Sequence, residues 1–189
     1  MSYKSGVSLP PLSSAGVPII EHVAPSKATY VTATGPFTPP ATPTDLFSII
    51  GSATKTVKIL KLIMYATQST AGVNNFYLKK YSTANTGGTS ATSTIIALDS
   101  TNAAATAVAR SYTANPTLGT LVGSIEIIRL YTPATSTATQ PVYLWDYETG
   151  GLGQTVTLRG VAEQLSVNFN GAALPGGLSV SFTIKFTEE

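Results

Sequence analysis

Asp146 and Glu148 stand two residues apart, next to Tyr143, Trp145 and Tyr147. A carboxylate pair beside aromatic rings is the raw material of a glycosidase dyad or a sugar platform. Strand spacing puts both carboxylates on one face of one strand, where they do not oppose each other across a scissile bond. The pair therefore reads as a strand end at a subunit contact, with Tyr143, Trp145 and Tyr147 as its receptor or subunit contact residues. His22 is the sole histidine and lies in a proline-rich segment, a solvent-facing setting rather than that of a general base. With no cysteine in the chain, thiolate chemistry, disulfides and Cys/His zinc sets are excluded. Ser–His–Asp catalysis would have to recruit His22, and no G-x-S-x-G elbow is present. The run Gly150-Gly151-Leu152-Gly153 lacks phosphate-loop spacing and opens no helix. Arg110, Arg129 and Arg159 are the only arginines, and nine acidic residues are available to pair with them across strands or copies. No catalytic, cofactor-binding or metal-ligating residue is expected, and the chain does not read as an enzyme.

Composition narrows the function classes further. Of 189 residues, 11% are charged, well below the ~25% of ordinary domains. Thr, Ser, Asn, Gln and Ala take over surface duty, so little charge repulsion keeps neighbouring copies apart. Much of this surface is expected to face other protein copies. The net charge is +2 and the basic residues form no cluster beyond Lys79-Lys80, which argues against a nucleic-acid groove. No run approaches the ~20 apolar residues of a membrane span. The opening MSYKSGVSLPPL has no apolar signal core, so synthesis in the cytoplasm without classical export is expected.

The elements that must hold these residues read as strands. Eight of the twelve prolines fall before residue 45. Proline removes backbone donors and excludes helix and central strand alike. Residues 1–44 are therefore predicted to be an extended arm with one short strand at Lys27 to Thr34. Its apolar Val17, Ile19, Ile20, Val23 and Tyr30 need a surface to bury on, either a neighbouring copy or the chain's own body. The body, 45–189, is predicted to hold strands at Asp45 to Ile50, Thr56 to Thr67, Asn74 to Ser82, Ile95 to Leu98, Ala107 to Tyr112, Leu121 to Thr132, Val142 to Tyr147 and Thr155 to Gly160. In Thr56 to Thr67 the apolar phase slips at Leu60-Lys61, which predicts a β-bulge. Leu121 to Thr132 is apolar on both faces, as expected of a central strand or one buried against a neighbour. Thr83 to Ser93 and Pro133 to Pro141 read as polar surface loops. Strict alternation over Leu165 to Phe169 and Val180 to Phe186, broken by Asn170-Gly171 and Pro175-Gly176-Gly177, reads as a wide hairpin. About ten short strands with regular turn signals predict an all-β fold, an antiparallel β-sandwich or jelly roll with an extended N-terminal arm.

Several phrases together carry a resemblance: GSATKTVKI at Gly51 to Ile59, YSTANTGGTSA at Tyr81 to Ala91, LDSTNAAATA at Leu98 to Ala107, SYTANPTLGTLVG at Ser111 to Gly123, and LRGVAEQLSVNFNGAALPGG at Leu158 to Gly177. From Pro43 onward the chain resembles a family of small all-β proteins found among tailed-phage structural genes. The resemblance implies a virion component, without a catalytic motif to carry over. The expected role is capsid decoration, cement or minor head protein, bound to the major capsid protein or to neighbouring copies. The second expectation is a tail-associated spike or fibre protein binding a host receptor or glycan. A homo-oligomer is implied either way, a trimer being a common form among such virion parts.

Overall fold

Apolar–polar alternation builds an all-β chain, seen in a computed structural model that describes residues 27–132, 134, 142–147 and 154–189. The side chains of Thr132, Val142 and Tyr143 are outside that description. The strands are β1 (Thr29–Ala33), β2 (Asp45–Ile50), β3 (Thr56–Thr67), β4 (Gly72–Tyr81), β5 (Ser90–Ser93), β6 (Ile95–Ala97), β7 (Val108–Tyr112), β8 (Leu121–Thr132), β9 (Val142–Asp146), β10 (Thr157–Arg159), β11 (Gln164–Asn168) and β12 (Ser179–Glu188). They form two antiparallel sheets. Sheet one runs β10-β3-β12-β1-β6, with β9 also pairing β3; sheet two runs β5-β7-β2-β11-β4-β8. The architecture is that of a β-sandwich.

The core lies between the two sheets. Phe47 of β2 stacks on Phe182 of β12 at 5.1 Å between ring centroids, joining sheet two to sheet one. Phe76 of β4 meets Phe169 edge-on at 4.5 Å. Along β12 the buried set is Val180, Phe182, Ile184 and Phe186, alternating with half-covered Ser181, Thr183 and Lys185. The predicted bulge in β3 is present. Lys185 of β12 faces Lys61 and the next residue, Phe186, faces Ile59, so Leu60 has no partner across the ladder. That extra residue returns Val57 and Ile59 to the same buried face as Leu62, Met64 and Ala66.

Three expectations change. The alternating segments at Leu165 to Phe169 and Val180 to Phe186 are not a hairpin. β11 pairs β2 and β4 in sheet two, whereas β12 pairs β3 and β1 in sheet one. The connection turns through left-handed Asn170 and Gly171 and is fastened to residues 41–44: Gly171 N–H donates to the Pro43 carbonyl at 2.9 Å and Leu174 N–H to the Ala41 carbonyl at 3.2 Å. Turn residues specify a reversal but not which strand the chain returns to. Second, the short strand expected at Lys27 to Thr34 is present as β1 (Thr29–Ala33) and docks on the chain's own body, but as an inner strand of a sheet and not as an arm. β1 lies between β12 and β6, and Phe37 bridges to Val180. Tyr30, assigned from the sequence to the arm, is a core side chain 1% exposed and stacked on Phe186 at 5.6 Å. Third, part of the expected polar loop at Thr83 to Ser93 is β5, the edge partner of β7. Val17, Ile19, Ile20, Val23, His22, Glu148, the Gly150–Gly153 turn and nearly all of Pro133 to Pro141 lie outside the described residues.

Candidate functional site

Among the described residues, two places are open to something outside the chain: the β8 edge of sheet two, and a polar groove beside β9 and β10. The first depends on a buried cluster that fixes how sheet two is held. On the face of sheet two turned away from the core, Asp45 accepts hydrogen bonds from Tyr81 Oη at 3.0 Å, Asn168 Nδ2 at 2.5 Å and Asn85 Nδ2 at 2.6 Å. All four residues are buried. Asn85 also takes the Gly119 N–H at 2.9 Å, and its own N–H donates to Gln164 Oε1 at 2.9 Å. Gly119 sits so close to Thr83 that a Cβ there would overlap the Thr83 carbonyl. The loop after β4 and the lead-in to β8 are thereby pinned to β2 and β11. Burial, and then the negative Asp45 beside it, push the Tyr81 hydroxyl above its ordinary range. Burial also lowers the Lys79 ammonium, partly offset by Asp45. The cluster is buried and cross-linked by hydrogen bonds, so it fastens the fold.

β8 is the last strand of its sheet. It pairs only with β4 among the described residues. This overturns the first of the two sequence expectations: the strand is not central. Ile128 and Leu130, opposite Phe76 and Asn74, pack against the core. The other apolar residues face outward. Ile127 and Tyr131 are each 63% exposed, Val122 62%, Leu121 50% and Ile125 37%. Val73, opposite Tyr131 on β4, extends the patch. The other outer strands among the described residues are shorter: β9 has five residues, β5 four, β6 three and β10 three. Short edges are a common protection against unwanted pairing. β8, at twelve residues, lacks it.

The groove runs along the β9–β10 side of sheet one. A hollow of about 470 Å³ is lined by Lys27, Lys58, Tyr147, Gln154, Arg159 and Glu189, among others. A second, of about 370 Å³, shares Gln154, Thr155, Thr157 and Arg159 and adds Lys80, Ile125 and Trp145. Lys27 and Lys58 reach Glu189 at 2.5 and 2.8 Å. Their hydrogen bonds hold its carboxyl below the usual carboxylate range. Lys80 sits 3.3 Å from Glu163, whose carboxylate accepts the Arg159 N–H at 2.8 Å. Arg159 is exposed on the rim. Trp145 is half-buried and donates its indole N–H to Thr155 Oγ1 at 3.2 Å.

The aromatic strand read from the sequence thus lines the groove only in part. Trp145 and Tyr147 line the two hollows, while Trp145 also packs against the core. Tyr143 lies opposite Ile63 in the β3–β9 ladder. Asp146 forms an ion pair with Lys61 at 3.3 Å. Across strands within the chain, the ion pairs among the described residues are carried by lysines and not by the arginines. Gln154, Lys58 and Glu189 carry no chemical signature in the sequence, and Arg159 reads there only as a pairing cation. The four come from separate stretches, and the β3–β10 and β3–β12 pairings bring them together. No three His, Cys, Asp or Glu side chains among the described residues are placed to hold a metal ion.

No protein-family model, curated protein or solved structure matches the chain.

Proposed function

We propose that the chain is a structural component of a bacteriophage virion, a capsid decoration, cement or minor head protein that acts through protein–protein contacts. The observation that carries the reading is the β8 edge: a twelve-residue outer strand with Leu121, Val122, Ile127 and Tyr131 half or more exposed. Large apolar residues exposed along one outer strand mark an interaction surface, where isolated ones scattered over the molecule would not. The low charge of the chain and its phrase-level resemblance to tailed-phage structural proteins support the same reading. The test is to locate the protein in electron-microscopy maps of intact particles and to add an Ile127→Lys variant to particles that lack it. The reading expects density on the head and loss of attachment for the variant. Absence from the head, or full attachment of the variant, overturns it.

The groove favours a second reading, a tail-associated protein that binds a host receptor or glycan. Tyr147 and Trp145 offer ring faces, and Arg159, Gln154 and the lysines offer donors to hydroxyl or acidic groups. Purified protein should then block phage adsorption, and an Arg159→Ala, Tyr147→Ala double variant should not. Equal blocking by both proteins, or by neither, removes this reading.

A further inference from the structure

We propose that β8 pairs with β8 of a second copy of this chain, antiparallel, in a register centred on Ile127. Each six-stranded sheet two then continues into that of its partner. This rests on the assembly reading above and names its first partner.

The argument begins with the edge itself. An outer strand shows a row of unpaired N–H and C=O groups, and chains blunt such edges by length, charge or cover. β8 has twelve residues, one Glu and one Arg, and its outward side chains are mostly apolar. A second strand would satisfy both its backbone groups and its apolar side chains.

Self-complementarity selects the occupant. Antiparallel pairing of two identical strands about a two-fold axis places one residue opposite itself. Centring on Glu126 sets two carboxylates face to face, and centring on Arg129 does the same for two guanidinium groups; like charges directly opposed are unfavourable. Centring on Ile128 puts exposed Ile127 against Arg129. Centring on Ile127 joins the two most outward isoleucines.

The bulges of β8 fit this last register. Against β4, the residues Tyr77, Leu78, Lys79, Lys80 and Tyr81 meet Ile127, Glu126, Ser124, Gly123 and Leu121, skipping Ile125 and Val122. With the same skips on the open side, the second copy's Ile127, Ile128, Arg129, Leu130 and Tyr131 meet that same series. The incoming run repeats the residue classes of the β4 run at four of five places: large apolar or aromatic, aliphatic, cation, then Tyr at the end. Tyr131 of each copy lands on Leu121 of the other. β8 thus presents to its open side a strand much like the one it already pairs with.

The chain has no cysteine, so single introduced thiols report the register. Opposed residues in an antiparallel pair lie ~4.5–5.5 Å apart at Cα, within disulfide reach. The full chain should sediment as a dimer or another even-numbered assembly. Ile127→Cys should cross-link on mild oxidation by itself. Leu121→Cys and Tyr131→Cys should cross-link when mixed and not separately. Ile127→Lys should sediment as a monomer with an unchanged far-UV circular dichroism spectrum. A monomeric or trimeric full chain overturns the proposal. So does Ile127→Cys cross-linking no faster than Ile96→Cys on the short β6 edge. If the full chain is monomeric yet Ile127→Lys fails to attach to particles, self-pairing falls and the assembly reading stands. If the dimer forms and Ile127→Lys breaks it without affecting attachment, self-pairing stands and that route of assembly falls.

Discussion

Asp45 is a carboxylate with no exposure, and each donor aimed at it comes from a different part of sheet two: Tyr81 at the end of β4, Asn85 in the following loop, Asn168 on β11. Removing the acceptor leaves three buried donors unpaired. Asp45→Ala should therefore lower unfolding stability by about 3–5 kcal/mol, measured by urea denaturation, since each orphaned donor costs roughly 1–3 kcal/mol and the terms overlap. Tyr81→Phe deletes one donor and should cost about 1.5–3 kcal/mol, the range of a hydrogen bond to a charged group. The two proteins should also differ in alkali. The folded-state pKa of Tyr81 is raised above its unfolded value near 10.0. Its contribution is therefore complete below pH 10 and declines above it, because the unfolded chain releases the phenolic proton first. Melting temperatures followed from pH 8 to 11 should fall more steeply for the native protein than for Tyr81→Phe. Parallel curves would mean that the hydroxyl is not buried against a charge.

At the scale of the element, β8 carries two kinds of isoleucine one residue apart. Ile128 packs against the core and Ile127 stands 63% exposed. Ile128→Ala should cost about 1–2 kcal/mol by chemical denaturation, less than a fully buried isoleucine because the position is only half covered. Ile127→Ala should change intrinsic stability by less than about 0.5 kcal/mol when measured at protein concentrations low enough to suppress association. Equal losses would mean that the strand is sandwiched on both faces. β3 makes the complementary case. Its extra residue, Leu60, keeps two apolar runs of opposite phase on one buried face. Deleting Leu60 would turn either Val57 and Ile59 or Leu62, Met64 and Ala66 outward. A thermal scan of that deletion should show no cooperative transition, and retention of one near the native temperature would show that β3 slips register freely.

For the whole molecule, the boundary of the body decides what a truncation does. A chain starting at Lys27 keeps every described strand. A chain starting at Asp45 loses β1, which takes Tyr30 from its stack on Phe186 and leaves β12 unpaired on one side. Burial of such an aromatic contributes ~2–3 kcal/mol, before the ladder hydrogen bonds are counted, against a total of ~5–15 kcal/mol for a typical domain. The shorter chain should therefore show a lowered melting temperature or aggregate, whereas the longer one melts cooperatively. If both melt alike, β1 is an appendage after all.

Much of this protein was legible before any coordinates. Asp45–Ile50, Thr56–Thr67 and Leu121–Thr132 have the strand limits read from their patterns, and the slip at Leu60-Lys61 announced its bulge. Local alternation carries that information because side-chain direction in a strand depends only on the neighbouring backbone. It could not say that Leu165 to Phe169 and Val180 to Phe186 belong to different sheets, because a turn specifies a reversal and leaves the partner open. Nor could it place Tyr30 in the core or gather Lys58, Arg159 and Glu189 around one hollow, since those neighbours are set by pairings more than a hundred residues apart in sequence. The doubly apolar pattern of Leu121–Thr132 was the sharpest case. The sequence by itself determined that both faces of that strand are largely apolar; only the tertiary structure decided that one of them faces out, because sheet two ends at β8 and no described strand covers it.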